Sequence, residues 1–205
     1  MRKAVALLTP FVALRSDELT VSVSELKVDF AARGPQLAYR KPRQGDRDHH
    51  GNLWVRMSES PVGRPVYASM HTSRQRRCME RLLCQVCGEP ADRNEQGWLF
   101  LDWRRPDSPR TWPERSITSM PPLCVEHARV SVRQCPFLRR AEYAVLRVRK
   151  PQLYGVSGTL YQLADTGWHT SENDVLSPYS SPRLPGMLAS RLHRQLRGVM
   201  VVDLP

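Results

Sequence analysis

Two short side-chain pairs govern what the middle of this 205-residue chain can fold into: Cys84 and Cys87 in Cys-Gln-Val-Cys-Gly, and Cys124 and His127 in Cys-Val-Glu-His. Each pair has two intervening residues, which lets both side chains reach one ion from a tight turn or from the first turn of a helix. Zn²⁺ takes four N or S ligands in a tetrahedron, and four protein side chains close a structural site. The pairs therefore predict one structural zinc ion held by Cys84, Cys87, Cys124 and His127. Gly88 permits the left-handed backbone that such a turn uses. Pro121 and Pro122 precede the second pair, at the start of a helix predicted over Leu123 to Arg133. The competing reading makes Cys84 and Cys87 reduced thiols or a redox pair. Cys78 and Cys135 read as small packed hydrophobes, with Cys135 an alternative fourth ligand in place of His127.

Between the pairs, Gly97 to Trp103 is aromatic and apolar and predicts a strand, followed by a proline- and charge-rich loop from Arg104 to Arg110. A strand or hairpin hung between two ligand pairs is a treble-clef-like or zinc-ribbon-like arrangement. Ser73 to Leu83 predicts a helix leading into the Cys-x-x-Cys turn. Its apolar positions are Met79, Leu82 and Leu83, and arginines cover the rest.

The fold class expected is α+β in three contiguous parts. Residues 1–72 are β-rich, 73–140 form the zinc module, and 141–205 hold strands, a connector and a helix; the three could form one integrated domain. Strands are predicted within Ala4 to Leu14 and at Leu19–Val23, Leu26–Phe30 and Leu53–Met57. Tyr143 to Arg149 reads as a strand broken by Pro151. Leu153 to Tyr161 reads as a second strand of a hairpin, bent or bulged at its glycines. Thr170 to Gly186 reads as an irregular Ser/Pro-rich connector. Met187 to Arg197 predicts an amphipathic helix, with Leu188, Leu192 and Leu196 at i, i+4 and i+8 and Gly198 ending it. Those three leucines are candidates for binding a partner. A last strand is predicted at Val199 to Val202.

Charge narrows the partner class. Thirty-one Lys and Arg against twenty Asp and Glu leave a net charge of +11. Such a surplus suits polyanions, because each phosphate contact releases counterions. The strongest local basic run is the loop Arg40 to Asn52, with Arg40, Lys41, Arg43 and Arg47; Arg74, Arg76, Arg77 and Arg81 lie on the helix before the Cys pair. These eight are the candidate nucleic-acid contacts, and DNA or a DNA-bound protein is the expected partner. Asp48-His49-His50 in that loop reads as solvated, with a second metal or an acid–base histidine as the weaker idea. No Ser/His/Asp triad, phosphate-binding P-loop or dinucleotide fingerprint occurs. No run of about 18 apolar residues is present, so no membrane span is expected. The apolar N-terminus is interrupted by Pro10 and lacks a small-x-small cleavage pattern. Five cysteines, three of them in a metal-like pattern, point to a reducing compartment, the cytoplasm, rather than a disulfide framework.

Leu83-Cys84-Gln85-Val86-Cys87-Gly88 is similar to the zinc knuckle of HNH endonucleases, but no histidine follows between Cys87 and Cys124, where a nuclease would carry its catalytic Asp-His, Asn and His. Arg74-Gln75, Cys84 to Gly88, Pro121 to Cys124 and Cys135-Pro136 together resemble uncharacterised zinc-knuckle proteins of high-GC bacteria and their phages. That resemblance covers about a third of the chain. It carries no known activity and implies a small phage-type or mobile-element regulator, one such role being a non-enzymatic accessory factor that binds a DNA-bound recombinase or transcription enzyme and changes its outcome. The alternatives are a variant HNH-like metal-dependent nuclease and a protein-interaction module without nucleic-acid contact.

Overall fold

The structure, a computed structural model, describes residues 7–20, 23–32, 34–60, 62–140 and 143–205. In chain order its strands and α-helices are β1 (Ala13–Arg15), β2 (Leu26–Ala31), β3 (Gly34–Tyr39), β4 (Leu53–Trp54), β5 (Pro65–Met70), α1 (Thr72–Arg81), β6 (Arg93–Asn94), β7 (Gly97–Trp103), β8 (Ile117–Thr118), α2 (Val125–Gln134), β9 (Tyr143–Ala164), β10 (Gly167–Pro178) and β11 (Met187–Val202). Strands dominate, and two α-helices accompany them, broadly as an α+β reading requires. Two compact units result. The first comprises residues 1–14, 65–153 and 194–205, the second residues 15–64 and 154–193. The segments 1–72 and 141–205 expected from composition are thus each divided between units. The long strands β9 and β11 run from one unit into the other.

In the first unit, β7 pairs antiparallel with β6 on one side and with the start of β9 on the other, Trp98 opposite Val148 through Trp103 opposite Tyr143. Side chains alternate across a strand, and here both faces are covered. Leu99, Leu101 and Val145 pack with Cys84, Val86, Leu123, Ala128 and Leu138. Phe100, Leu146, Val148 and Leu196 form a core of their own. A strand buried on both faces reads as a continuous apolar run, which is why Gly97 to Trp103 was legible.

α1 begins at the N-cap His71, whose side chain accepts a hydrogen bond from the Arg74 N–H, and stops at Leu82, which adopts the left-handed conformation (φ 54°). Its last carbonyls would be orphaned. The buried guanidinium of Arg194 takes them: Nε donates to the Met79 carbonyl at 2.7 Å and Nη2 to that of Glu80 at 3.2 Å, while Nη1 donates to the Pro151 carbonyl. A cation at a helix C-terminus is also favoured by the helix dipole.

The segment 187–197 is not a helix. It is the first part of β11, pairing with β4 in parallel (Leu188 opposite Leu53) and with β8 antiparallel (Arg194 opposite Thr118). A spacing of four is a multiple of two, so Leu188, Leu192 and Leu196 also share one face of a strand. All three are core residues, so the surface helix that would have carried a partner does not exist. Gly198 lies inside the strand. Pro151 does not break β9 either. It falls between two ladders, after β7 pairs with residues 143–148 and before β10 pairs with residues 155–164, where neither ladder needs its missing N–H. The expected connector is largely β10, which pairs back on β9 with register shifts around Glu172. Gly158 pairs with Val175 at the edge of those shifts, and a Cβ there would lie 2.1 Å from the Leu188 carbonyl oxygen, so two backbones also meet at that point.

In the second unit β2 and β3 form an antiparallel hairpin, as predicted for Leu26 to Phe30. The Leu53–Met57 strand shrinks to β4. Of Leu19–Val23, Val21 and Ser22 lie outside the described residues, and Thr20 makes one isolated bridge to Met57. Of Ala4–Leu14, residues 4–6 lie outside the described residues and only Ala13 and Leu14 are strand. Leu26, Leu37, Tyr39, Leu53, Tyr161 and Leu188 make this unit's core, with Trp168 beside it. Two carboxylates order the loop 40–52. Asp46 accepts from Arg56 through Nε and Nη2, both at 2.6 Å, and Asp48 accepts from the N–H groups of His50 and Asn52, the Asn52 amide and the Trp54 indole.

Burial alone would raise the Asp46 and Asp48 carboxyls, but the hydrogen bonds from Arg56 and from Asn52 and Trp54 outweigh it and hold both below the usual range. A depressed folded pKa contributes stability above the unfolded value, near 4, which is lost as pH falls through the folded pKa. Urea midpoints are expected to fall on acidification below about pH 5, and to fall less in the Asp46→Asn, Asp48→Asn double variant. Equal acid sensitivity in the two proteins would contradict this role. Arg194→Leu leaves three carbonyls without their donor and is expected to cost at least about 3 kcal/mol in urea unfolding.

Candidate metal centre

The Cys84–Gly88 turn is built by its own backbone. The Gly88 N–H donates to the Cys84 carbonyl at 2.8 Å, and the Val86 N–H points at the Cys84 sulfur at 3.5 Å. Gly88 has φ +76°, and the Phe11 ring lies 3.1 Å from where a Cβ would be, so both backbone and space call for glycine. The chain before β1 clamps the turn. Phe11 and Val12 donate to the carbonyls of Val86 and Gln85 at 2.9 and 3.1 Å. From the other side Gln85 donates to the Pro122 carbonyl and Leu123 to that of Leu99. These bonds carry the second pair to the first. Cys124 is the N-cap of α2 and His127 sits in its first turn.

The result is one cluster. The ligand atoms of Cys84, Cys87, Cys124 and His127 lie within 4.8 Å of one another, close enough to hold a metal ion. His127 presents Nδ1, 2.9 Å from the Cys124 sulfur and 3.8 Å from that of Cys84. A tetrahedral ion with metal–sulfur and metal–nitrogen bonds of about 2.3 and 2.0 Å separates its ligands by roughly 3.5–3.8 Å, and the observed contacts bracket that range. Cys84 is fully buried and the other three are half-buried. Burial pushes the Cys87 thiol up, against a hydrogen bond from the Glu89 backbone, so metal uptake there displaces a proton.

Cys135 is outside the cluster. It caps the far end of α2, eight residues beyond His127, or about 12 Å along the helix axis. The alternative ligand set that used it is thereby corrected. Cys78 is fully buried, and burial pushes its thiol up to about 12, so it behaves as the packed hydrophobe expected.

The eight basic candidates divide. Arg40, Lys41, Arg43, Arg77 and Arg81 are exposed. Arg47 is committed to its own loop, donating to the carbonyls of Gly51 and Leu37. Arg74 donates to Ala13, and Arg76 pairs with Glu80. Sequence reasoning missed Phe11 and Val12 as the clamp on the turn, and missed the ion pair of buried Arg147 with half-buried Asp92, beside the hairpin β6–β7. A lone Arg in an apolar strand, Arg147 in Ala-Val-Leu-Arg-Val, was the available signal for that pair. Among the described residues, no helix is long and apolar enough to cross a membrane. No protein-family model matches the chain, and neither a curated protein nor a solved structure does.

One metal ion per chain is expected, with affinity falling steeply on acidification because three thiols and an imidazole must be free of protons. Cys87→Ser and His127→Ala should each lose the ion and lower the melting temperature. Cys135→Ser should keep a full ion; loss of metal in that variant would overturn the ligand assignment.

Proposed function

We propose that the ion is zinc, that knuckle, hairpin and helix form a treble-clef-like structural module, and that the protein works by binding rather than catalysis. Four protein ligands use all four tetrahedral positions and leave none for a substrate, which is the arrangement of a structural site. The proposed target is DNA or a protein already on DNA, such as a recombinase or transcription enzyme whose outcome the protein alters. The net charge of +11 carries this reading, together with Arg77 and Arg81 exposed on the helix that leads into the knuckle. The nuclease alternative gains nothing from Asp48-His49-His50, since both Asp48 oxygens accept hydrogen bonds that order the loop.

A second reading has its own support. A cavity of about 980 Å³ in the first unit is lined by apolar residues including Leu8, Tyr67, Val86, Trp103 and Phe137, and among the described residues Arg140 is its one charged group. It favours a protein partner offering an apolar segment with an acidic neighbour for Arg140.

Duplex DNA binding is expected to weaken steeply between 50 and 200 mM salt, and the Arg77→Gln, Arg81→Gln double variant should flatten the log–log slope by about 2. Binding independent of salt, or no binding at 50 mM, would remove DNA from the proposal and leave the protein-partner reading.

A further inference from the structure

The loop 40–52 of the second unit turns its acids inward and its bases and rings outward. The acids Asp46 and Asp48 are occupied by Arg56, Asn52 and Trp54, as described, and Arg56 in turn lies over the Tyr39 ring at 3.8 Å. What faces solvent is Arg40, Lys41 and Arg43, then His49 and His50. Of these, Arg40 also donates through Nε to the Ser24 carbonyl. The two imidazoles continue a ring column. His50 stacks on Tyr179 with centroids 4.0 Å apart and planes 27° apart, and the His49 ring lies 4.0 Å from His50, tilted by 43°. His49, at the end of the column, is exposed.

We propose that this face of the second unit binds single-stranded nucleic acid, with an unpaired base stacking on the His49–His50–Tyr179 column and the backbone phosphates running over Arg40, Lys41 and Arg43. A duplex buries the faces of its bases in its own stack, so a protein ring can take a base face only from an unpaired strand. Stacking tolerates any base, and phosphate contacts carry no sequence information, so the site should have little sequence preference. This rests on the nucleic-acid reading above and adds the form of the target. It involves neither α1 nor the metal centre.

The test uses the metal-loaded full chain and fluorescein-labelled dT15, rU15 and a 15-base-pair duplex, read by anisotropy. Either single strand should bind more tightly than the duplex, and the tighter of the two names the source. His49→Ala should weaken single-strand binding about 5- to 150-fold, whereas His49→Phe, which keeps a ring, should restore most of it. Replacing Arg40, Lys41 and Arg43 by Gln should flatten the single-strand salt slope by about 2. An unchanged urea midpoint shows that each variant folds. In the Arg77→Gln, Arg81→Gln background, duplex bound as tightly as single strands, or His49→Ala equal to its parent, overturns the site. Duplex binding that depends on Arg77 and Arg81 would survive that result, so the two failures are separable.

Discussion

Three cysteine sulfurs and an imidazole nitrogen lie within 4.8 Å of one another, close enough to hold a metal ion. A free thiol packs as a small hydrophobe wherever a core has room, so packing by itself does not set four ligand atoms at this spacing. The surrounding backbone is arranged to bring them together. The N-terminal segment bonds to one side of the knuckle, and the Pro121–Leu123 segment bonds to the other side and to β7. Helix α2 starts where its N-cap and first turn complete the set. An ion at the centre would join all four side chains in one interaction. Its binding free energy would then be folding free energy for a module whose hairpin and helix are short.

The two buried arginines show the same economy of polar groups. Arg194 satisfies the open end of α1, and Arg147 neutralises Asp92 on the hairpin beside the knuckle. Both tie β9 or β11 to the elements that frame the candidate metal centre. Truncating either would leave buried acceptors unmet, and that cost exceeds the net worth of the bonds themselves.

Much of the centre was legible because its signals are local. Ligand types, two-residue spacings, Gly88 and the proline pair all act within a few residues, and α1, α2 and β7 follow from strong patterns of their own. The C-terminal third was not, for a reason visible in Met187 to Arg197. Leucines four apart fit a helix and a strand equally, and the period-two face was masked because one of its buried members, Arg194, is charged. Only its three backbone acceptors, distant in sequence, explain its burial. Pro151 misled in the same way, since its tolerance depends on where β7 stops pairing and β10 begins. β10 itself is polar and exposed and owes its extension to β9. Cys135 could be placed only once the length of α2 was known.

X-ray absorption at the zinc edge, on protein purified without added metal, probes the central claim most directly. Three sulfur scatterers at about 2.3 Å and one nitrogen at about 2.0 Å from a single zinc are the expected first shell. Four sulfurs, a shell of light atoms only, or protein carrying no zinc would contradict it.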